Sequence, residues 1–87
     1  MEKIVTKFGG SSLADAAQFT KVRDILLLES ARIYVVPSAP GKRFKEDEKV
    51  TDLLYRCHRE AQAGGDIAET FGKISARYHE IHRALGL

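Results

Sequence analysis

Lys7-Phe8-Gly9-Gly10-Ser11-Ser12 joins a predicted strand to a predicted helix, and this junction decides the fold class of the 87-residue chain. Residues 3–8 before it are rich in β-branched side chains and predict a strand that the two glycines end. After it, apolar residues recur at helical spacing to about Glu29. We expect Ser12 to cap this helix, with Asp15 as the reciprocal partner of a capping box.

The rest of the chain extends this pattern. Residues 32–36 are a short apolar run that predicts a second strand, covered on both faces as in parallel sheets. Strand, helix and strand in this order predict a βαβ unit. Residues 37–48 hold both prolines and predict a mobile loop. Two helices should follow, with apolar stripes in residues 50–61 and 67–85. The predicted fold class is α/β, a βαβ unit with parallel strands followed by two helices.

Single residues of the two C-terminal helices carry further expectations. Gly72 inside the last helix predicts close packing against a neighbour, because glycine there is otherwise unfavourable. Cys57 lies on an apolar stripe and is expected in the core. His79 and His82 are expected on a solvated helix face, since a metal site needs further ligands that are not evident.

Composition excludes several classes of function. The net charge is +2 and the pI about 8.8, and acidic and basic residues are mixed along the chain. The few aromatic residues are not interleaved with basic ones, so no nucleic-acid surface is predicted. The longest apolar run, residues 25–28, is far too short to cross a membrane. The single cysteine allows no intrachain disulfide, and we predict a cytoplasmic protein.

The glycine turn is suited to binding a phosphate. Gly9 and Gly10 let the backbone approach a ligand, and a following helix presents free N–H groups. Lys7 adds a positive charge at the carboxyl end of a strand, where α/β proteins bind ligands. The turn matches neither the P-loop nor the dinucleotide-binding glycine pattern. On spacing alone, a simple tight turn and an ordinary surface lysine are alternative interpretations.

Three sequence blocks together resemble the aspartokinase family. They are KFGGSSLAD at residues 7–15, VVPSAPGK at 35–42 and KVTDLL at 49–54. The resemblance implies a partial amino-acid kinase fold, with residues 1–87 as the N-terminal fragment of a single, incomplete catalytic domain. It also implies transfer of the γ-phosphate of ATP to the side-chain carboxylate of L-aspartate, the first step of lysine, threonine and methionine biosynthesis.

The resemblance also assigns roles to individual residues. Lys7 would be catalytic, neutralising the transferring phosphoryl group. The residues implied to contact the ATP phosphates are Lys7, Phe8, Gly9, Gly10 and Ser11. Ser38 and Thr51 would bind aspartate, although by residue type each is equally suited to a loop or a helix cap. Mg²⁺ is expected with ATP, and no residue is named as a metal ligand.

The sequence is compatible with several alternatives for the covering partner, the function and the charged loop. Two strands and three apolar helix faces need a covering partner, either a second copy of the chain or the missing remainder of the domain. We expect the isolated fragment to be inactive as a kinase. A small non-enzymatic α/β module that binds an anion or a partner subunit is the main rival. A kinase acting on another acceptor is a third possibility. The charged residues 42–49 are either a solvated loop or a lid over ATP.

Overall fold

The computed structural model describes residues 2–87, which form two parallel strands and three α-helices. Strand β1 is Ile4–Phe8 and strand β2 is Arg32–Pro37, and the two pair in parallel. Helix α1 (Ala16–Leu27) connects them, preceded by a short 3-10 helix at Gly10–Leu13. Helices α2 (Val50–Gln62) and α3 (Ala68–Ala84) follow a long loop. The predicted βαβ unit with two further helices is therefore confirmed.

Glycines end the last two helices, and an aspartate begins the first. Gly64 and Gly86 both have φ of +75°, a conformation that glycine adopts without steric cost. The predicted cap of α1 is wrong. Asp15, not Ser12, is the N-cap, and its carboxylate accepts a hydrogen bond from the Gln18 N–H at 2.9 Å. Ser12 lies within the 3-10 helix, because that tighter turn occupies the residues directly after Gly9.

Two small apolar clusters hold the elements together. Phe8 of β1, Leu13 of the 3-10 helix and Val22 of α1 form the first, which fixes the glycine turn against α1. The second consists of Val50 and Leu53 from α2 with Ile74 from α3, and the half-buried Cys57 packs against it as predicted. Val50 and Leu53 are the most deeply buried large side chains. The start of α2 is therefore anchored against α3.

The second strand is exposed, which contradicts the prediction that it is covered on both faces. Its apolar residues Ile33, Tyr34, Val35 and Val36 are between 41% and 51% accessible. The apolar sequence of β2 predicts that other elements pack on both of its faces. No element within residues 2–87 does so, and the sheet there has two strands. The radius of gyration of 15.5 Å exceeds the roughly 12 Å of a compact domain of this length.

The buried face of α3 differs from its most apolar stripe. Its buried residues are Thr70, Ile74, Arg77 and Ile81, while Phe71 and Tyr78 are exposed. The prediction for Gly72 is wrong, because a Cβ there would have no atom of another element within 4 Å among residues 2–87. None of the helices between residues 2 and 87 combines the length and apolarity that crossing a membrane requires.

Candidate functional site

A cleft of about 410 Å³ opens between the glycine turn, the loop after β2 and the start of α2. Its lining combines backbone of two turns, three hydroxyl side chains and two lysines. The lining residues are Gly10, Ser11, Ser38, Ala39, Pro40, Gly41, Lys42, Lys49 and Thr51. Because no carboxylate of residues 2–87 lines this cleft, the formal charge of its lining is positive, which suits an anionic ligand.

The two turns that form the cleft touch through their backbones. The Gly41 N–H donates a hydrogen bond to the Gly10 carbonyl at 2.8 Å, and the Ser38 N–H donates to the Phe8 carbonyl at 3.0 Å. A Cβ on Gly41 would lie 2.6 Å from the Gly10 carbonyl carbon and 2.9 Å from the Ser11 nitrogen. A side chain at residue 41 is therefore incompatible with this approach of the two turns.

Helix α2 begins at the edge of the cleft. The Val50 N–H donates to the Pro40 carbonyl at 3.0 Å, which attaches the first turn of α2 to the loop. Lys49 is its N-cap residue and makes no side-chain capping bond. A helix N-terminus presents backbone N–H groups and a partial positive charge. Thr51 in that first turn thus places its hydroxyl where the local field favours an anion.

Arg77 of α3 holds the backbone behind the cleft. Its side chain is only 6% accessible. Nη2 donates to the carbonyls of Ala14 at 3.0 Å and Gly41 at 2.6 Å, and Nη1 donates to the Glu48 carbonyl at 2.9 Å. These three carbonyls belong to segments far apart in the sequence. A single guanidinium therefore joins the segment after the glycine turn to both ends of residues 41–48.

Asp47 places a negative charge beside this guanidinium. Its Oδ2 lies 3.5 Å from Arg77 Nη1 and 2.7 Å from Arg43 Nε, and its side chain is 9% accessible. The hydrogen bonds from Arg43 hold the pKa of the Asp47 carboxyl well below its usual range, although burial opposes this. The Arg43 pKa is raised in turn, chiefly by the same bonds. The carboxylate therefore stays charged at neutral pH and balances the arginines.

A salt-bridge group extends this network along the loop. Arg43 also contacts Glu80 of α3 at 3.1 Å. Glu48 pairs with Arg56 of α2 and, at 3.4 Å, with Lys73 of α3. The Arg56 contact chiefly lowers the Glu48 pKa. The loop that the sequence predicts as mobile is therefore tied to both C-terminal helices.

The structure brings together four of the residues singled out from the sequence. Gly10, Ser11, Ser38 and Thr51 all line the cleft. Lys7 does not line it.

The remaining predicted residues lie on β1 or beside its end. The Lys7 side chain is exposed, and strand alternation directs it away from the face of β1 that carries Phe8. The side chain of Phe8 belongs to the apolar core, so only its backbone faces the loop. Gly9 has open space where a Cβ would stand.

Four residues that shape the cleft were not named individually as site residues from the sequence, although two of them belong to the segment 42–49 considered as a lid over ATP. They are Gly41, Lys42, Lys49 and Arg77. Lys42 and Lys49 lie in the charged loop, and their position at the cleft becomes evident only when the path of that loop in the structure is known. Arg77 has a local signal, because it is an arginine spaced by three and four residues from the buried Ile74 and Ile81. A charged residue on a buried helix face requires partners.

Other candidate groups lie apart from the cleft. His79 and His82 are exposed on α3, as predicted. Within residues 2–87 no group of three or more histidine, cysteine, aspartate or glutamate side chains is arranged to hold a metal.

Comparison with known proteins gives one consistent result. The chain is 48% identical to aspartokinase 3 of Bacillus subtilis over 83 residues, which are 95% of this chain and 18% of that protein. It is also 48% identical to an aspartate kinase of Clostridium acetobutylicum, an allosteric enzyme whose crystal structure it matches with a TM-score of 0.95. That match covers the whole of this chain and 20% of the other. The chain thus spans about a fifth of these relatives. No protein-family model matches it.

Proposed function

We propose that this chain is a segment of an aspartate kinase and supplies its phosphate-binding turns, which the 48% identity to two aspartate kinases supports. As part of a longer chain, it would take part in transferring the γ-phosphate of ATP to the side-chain carboxylate of L-aspartate. This reaction would open the synthesis of lysine, threonine and methionine. The cytoplasmic location stays a prediction.

The observation that carries this proposal is the chemical match between the cleft and a phosphorylated ligand. Two backbone turns approach at Gly10 and Gly41, and two lysines line the same cavity without a carboxylate. Phosphoryl transfer needs positioned donors and positive charge, because negative charge spreads over the phosphoryl oxygens in the transition state. The hydroxyl groups and the two lysines that line the cleft are groups of this kind, which supports the proposal.

The roles proposed for single residues are those that the resemblance to aspartokinases implies. Ser11 and the backbone at Gly10 would contact phosphate oxygens, and Ser38 and Thr51 on the opposite wall would orient aspartate. The aspartate carboxylate is already ionised at neutral pH, so no general base is required. Lys7 would neutralise the phosphoryl group at the carboxyl end of β1. Its exposed side chain makes no ion pair among residues 2–87, which leaves its charge available to a ligand.

Mg²⁺ would accompany ATP and offset phosphate charge when bound. The cleft offers hydroxyl and backbone groups to the nucleotide, but no carboxylate lines it among the described residues. We therefore assign no Mg²⁺ ligand within this segment. Its own residues would bind and orient the two anions.

Replacing Lys7 by alanine in the full-length protein tests the proposed function. Loss of a charge that acts on the transferring group is expected to lower kcat by about 100-fold or more. Lys21→Ala, on the exposed side of α1, is the matched control and is expected to keep the wild-type rate. Aspartate-dependent ADP release is measured with both variants folded by circular dichroism. Lys7→Ala with a near-normal kcat would exclude the assigned role.

The exposed apolar residues of β2 support a second proposal, that this sheet packs against other elements. Ile33, Tyr34, Val35 and Val36 are all at least 41% accessible. Because successive strand residues such as Val35 and Val36 point to opposite faces, apolar side chains are uncovered on both faces of the sheet, and exposed strands favour pairing. The cover would come from the remainder of the domain or from a second copy of the chain. An anion-binding module without enzymatic activity remains the rival function. It predicts nucleotide or phosphate binding with no aspartate-dependent turnover in the full-length protein.

A further inference from the structure

We propose that Arg77 is a positioning residue for the anion cleft, acting through the loop that carries Lys42 and Lys49. The inference rests on the proposed function, since it concerns the same cleft. Arg77 does not line the cavity between the two turns. It contacts instead the backbone segments that set the distance between the cavity walls.

The contacts of Arg77 reach both walls of the cleft. The bond to Ala14 fixes the segment that follows Gly10 and Ser11, which form one wall. The bond to Gly41 fixes the residue directly before Lys42. Gly41 in turn donates its N–H to Gly10, so one guanidinium and one backbone bond close the contact between the walls.

The third contact fixes the other end of the loop. Nη1 of Arg77 donates to the Glu48 carbonyl, one residue before Lys49. Both lysines of the cleft are thus adjacent to a carbonyl that Arg77 holds. With the guanidinium removed, these carbonyls lose their shared donor, and nothing else described in the structure connects Gly41 to Glu48 through one side chain.

The geometry of the group explains why an arginine occupies this position. A guanidinium donates through a planar fork in several fixed directions, whereas an ammonium is a single point with three donors. The bonds to Ala14 and Gly41 use one nitrogen and the bond to Glu48 uses the other. Lysine at residue 77 would keep the charge beside Asp47 but would not span the three carbonyls.

The test compares Arg77→Lys with Arg83→Lys in the full-length protein. Arg83 lies in the exposed last turn of the same helix and is the matched control. Steady-state kinetics with MgATP and L-aspartate are measured where circular dichroism shows each variant folded. Misplacing the cleft walls is expected to lower kcat/KM by about 10- to 100-fold in Arg77→Lys. Arg83→Lys is expected to match the wild type.

A second comparison separates positioning from a merely structural role. Lys42→Met is introduced into the wild type and into Arg77→Lys. If Arg77 acts through the loop, Lys42→Met lowers kcat/KM about 10-fold in the wild type and about 2-fold or less in Arg77→Lys. Equal factors in the two backgrounds would overturn the inference, because they would mean that Arg77 supports folding alone.

The remaining outcomes are also decisive. Arg77→Lys with the kinetics of Arg83→Lys contradicts the inference. So does a Lys42→Met variant with wild-type kinetics, while the proposed function would still stand on the loss caused by Lys7→Ala. If Arg77→Lys does not fold, Asp47→Asn replaces it, which neutralises the carboxylate that lies 3.5 Å from Arg77 Nη1 and that also accepts hydrogen bonds from Arg43. The inference then requires that Lys42→Met lower kcat/KM by a smaller factor in Asp47→Asn than in the wild type.

Discussion

Gly41→Ala is predicted to separate the two turns of the cleft and to destabilise the protein strongly. The added Cβ would stand 2.6 Å from the Gly10 carbonyl carbon and 2.8 Å from its oxygen, whereas ordinary contacts begin near 3.4 Å. Both neighbours are backbone atoms, so no side chain can rotate away. Relief requires a movement of the turns themselves.

The expected magnitude follows from what that movement breaks. Overpacking in a close contact costs about 1 to 3 kcal/mol. The separation also stretches the 2.8 Å bond from Gly41 to Gly10, and each such bond contributes about 0.5 to 1.5 kcal/mol. The free energy of unfolding should therefore fall by about 2 to 4 kcal/mol. For this 87-residue chain that lowers Tm by about 10 °C or more.

Gly9→Ala is the matched control, because a Cβ at Gly9 meets nothing within 4 Å and its φ of −76° suits alanine. Its free energy of unfolding should stay within about 0.5 kcal/mol of the wild type. Urea unfolding followed by circular dichroism gives both values. The reasoning is refuted if Gly41→Ala is as stable as the wild type, or if Gly9→Ala loses as much stability as Gly41→Ala.

Two further predictions concern pH and the isolated segment. Because the folded-state pKa of Asp47 is depressed, its contribution to stability is complete above its unfolded pKa of about 4 and is lost as the pH falls below it. In urea unfolding across that range, Asp47→Asn should show a shallower acid dependence than the wild type, and equal slopes would contradict the assignment. The 87-residue chain alone is expected to release no ADP in response to aspartate, since it spans about a fifth of its relatives. Aspartate-dependent turnover by this chain in a coupled assay would disprove that expectation.

Local patterns in the sequence were enough to predict the elements. β-Branched runs predicted both strands, and helical spacing of apolar residues predicted all three helices. These patterns work because hydrogen bonding and periodicity within one element involve neighbours in the chain. The resemblance of three short blocks was sufficient for the family, and the comparisons support it.

Competition between neighbouring local structures decided details that the patterns left open. Ser12 and Asp15 are both good capping residues. The 3-10 helix after Gly9 takes up Ser12, so α1 begins only after Asp15. The burial of β2 was also left open by the sequence. Its apolar residues predict that the strand is covered, but they do not specify which element covers it.

The sequence by itself determined the strands, the helices, the glycine turn and the resemblance to aspartokinases. Only the tertiary structure decided that Gly10 meets Gly41 and that Arg77 holds the cleft from behind. The contacts of Arg77 with Ala14 and Gly41 join residues 63 and 36 positions apart. Such pairs leave no periodic trace in the chain, because their geometry depends on how whole elements pack.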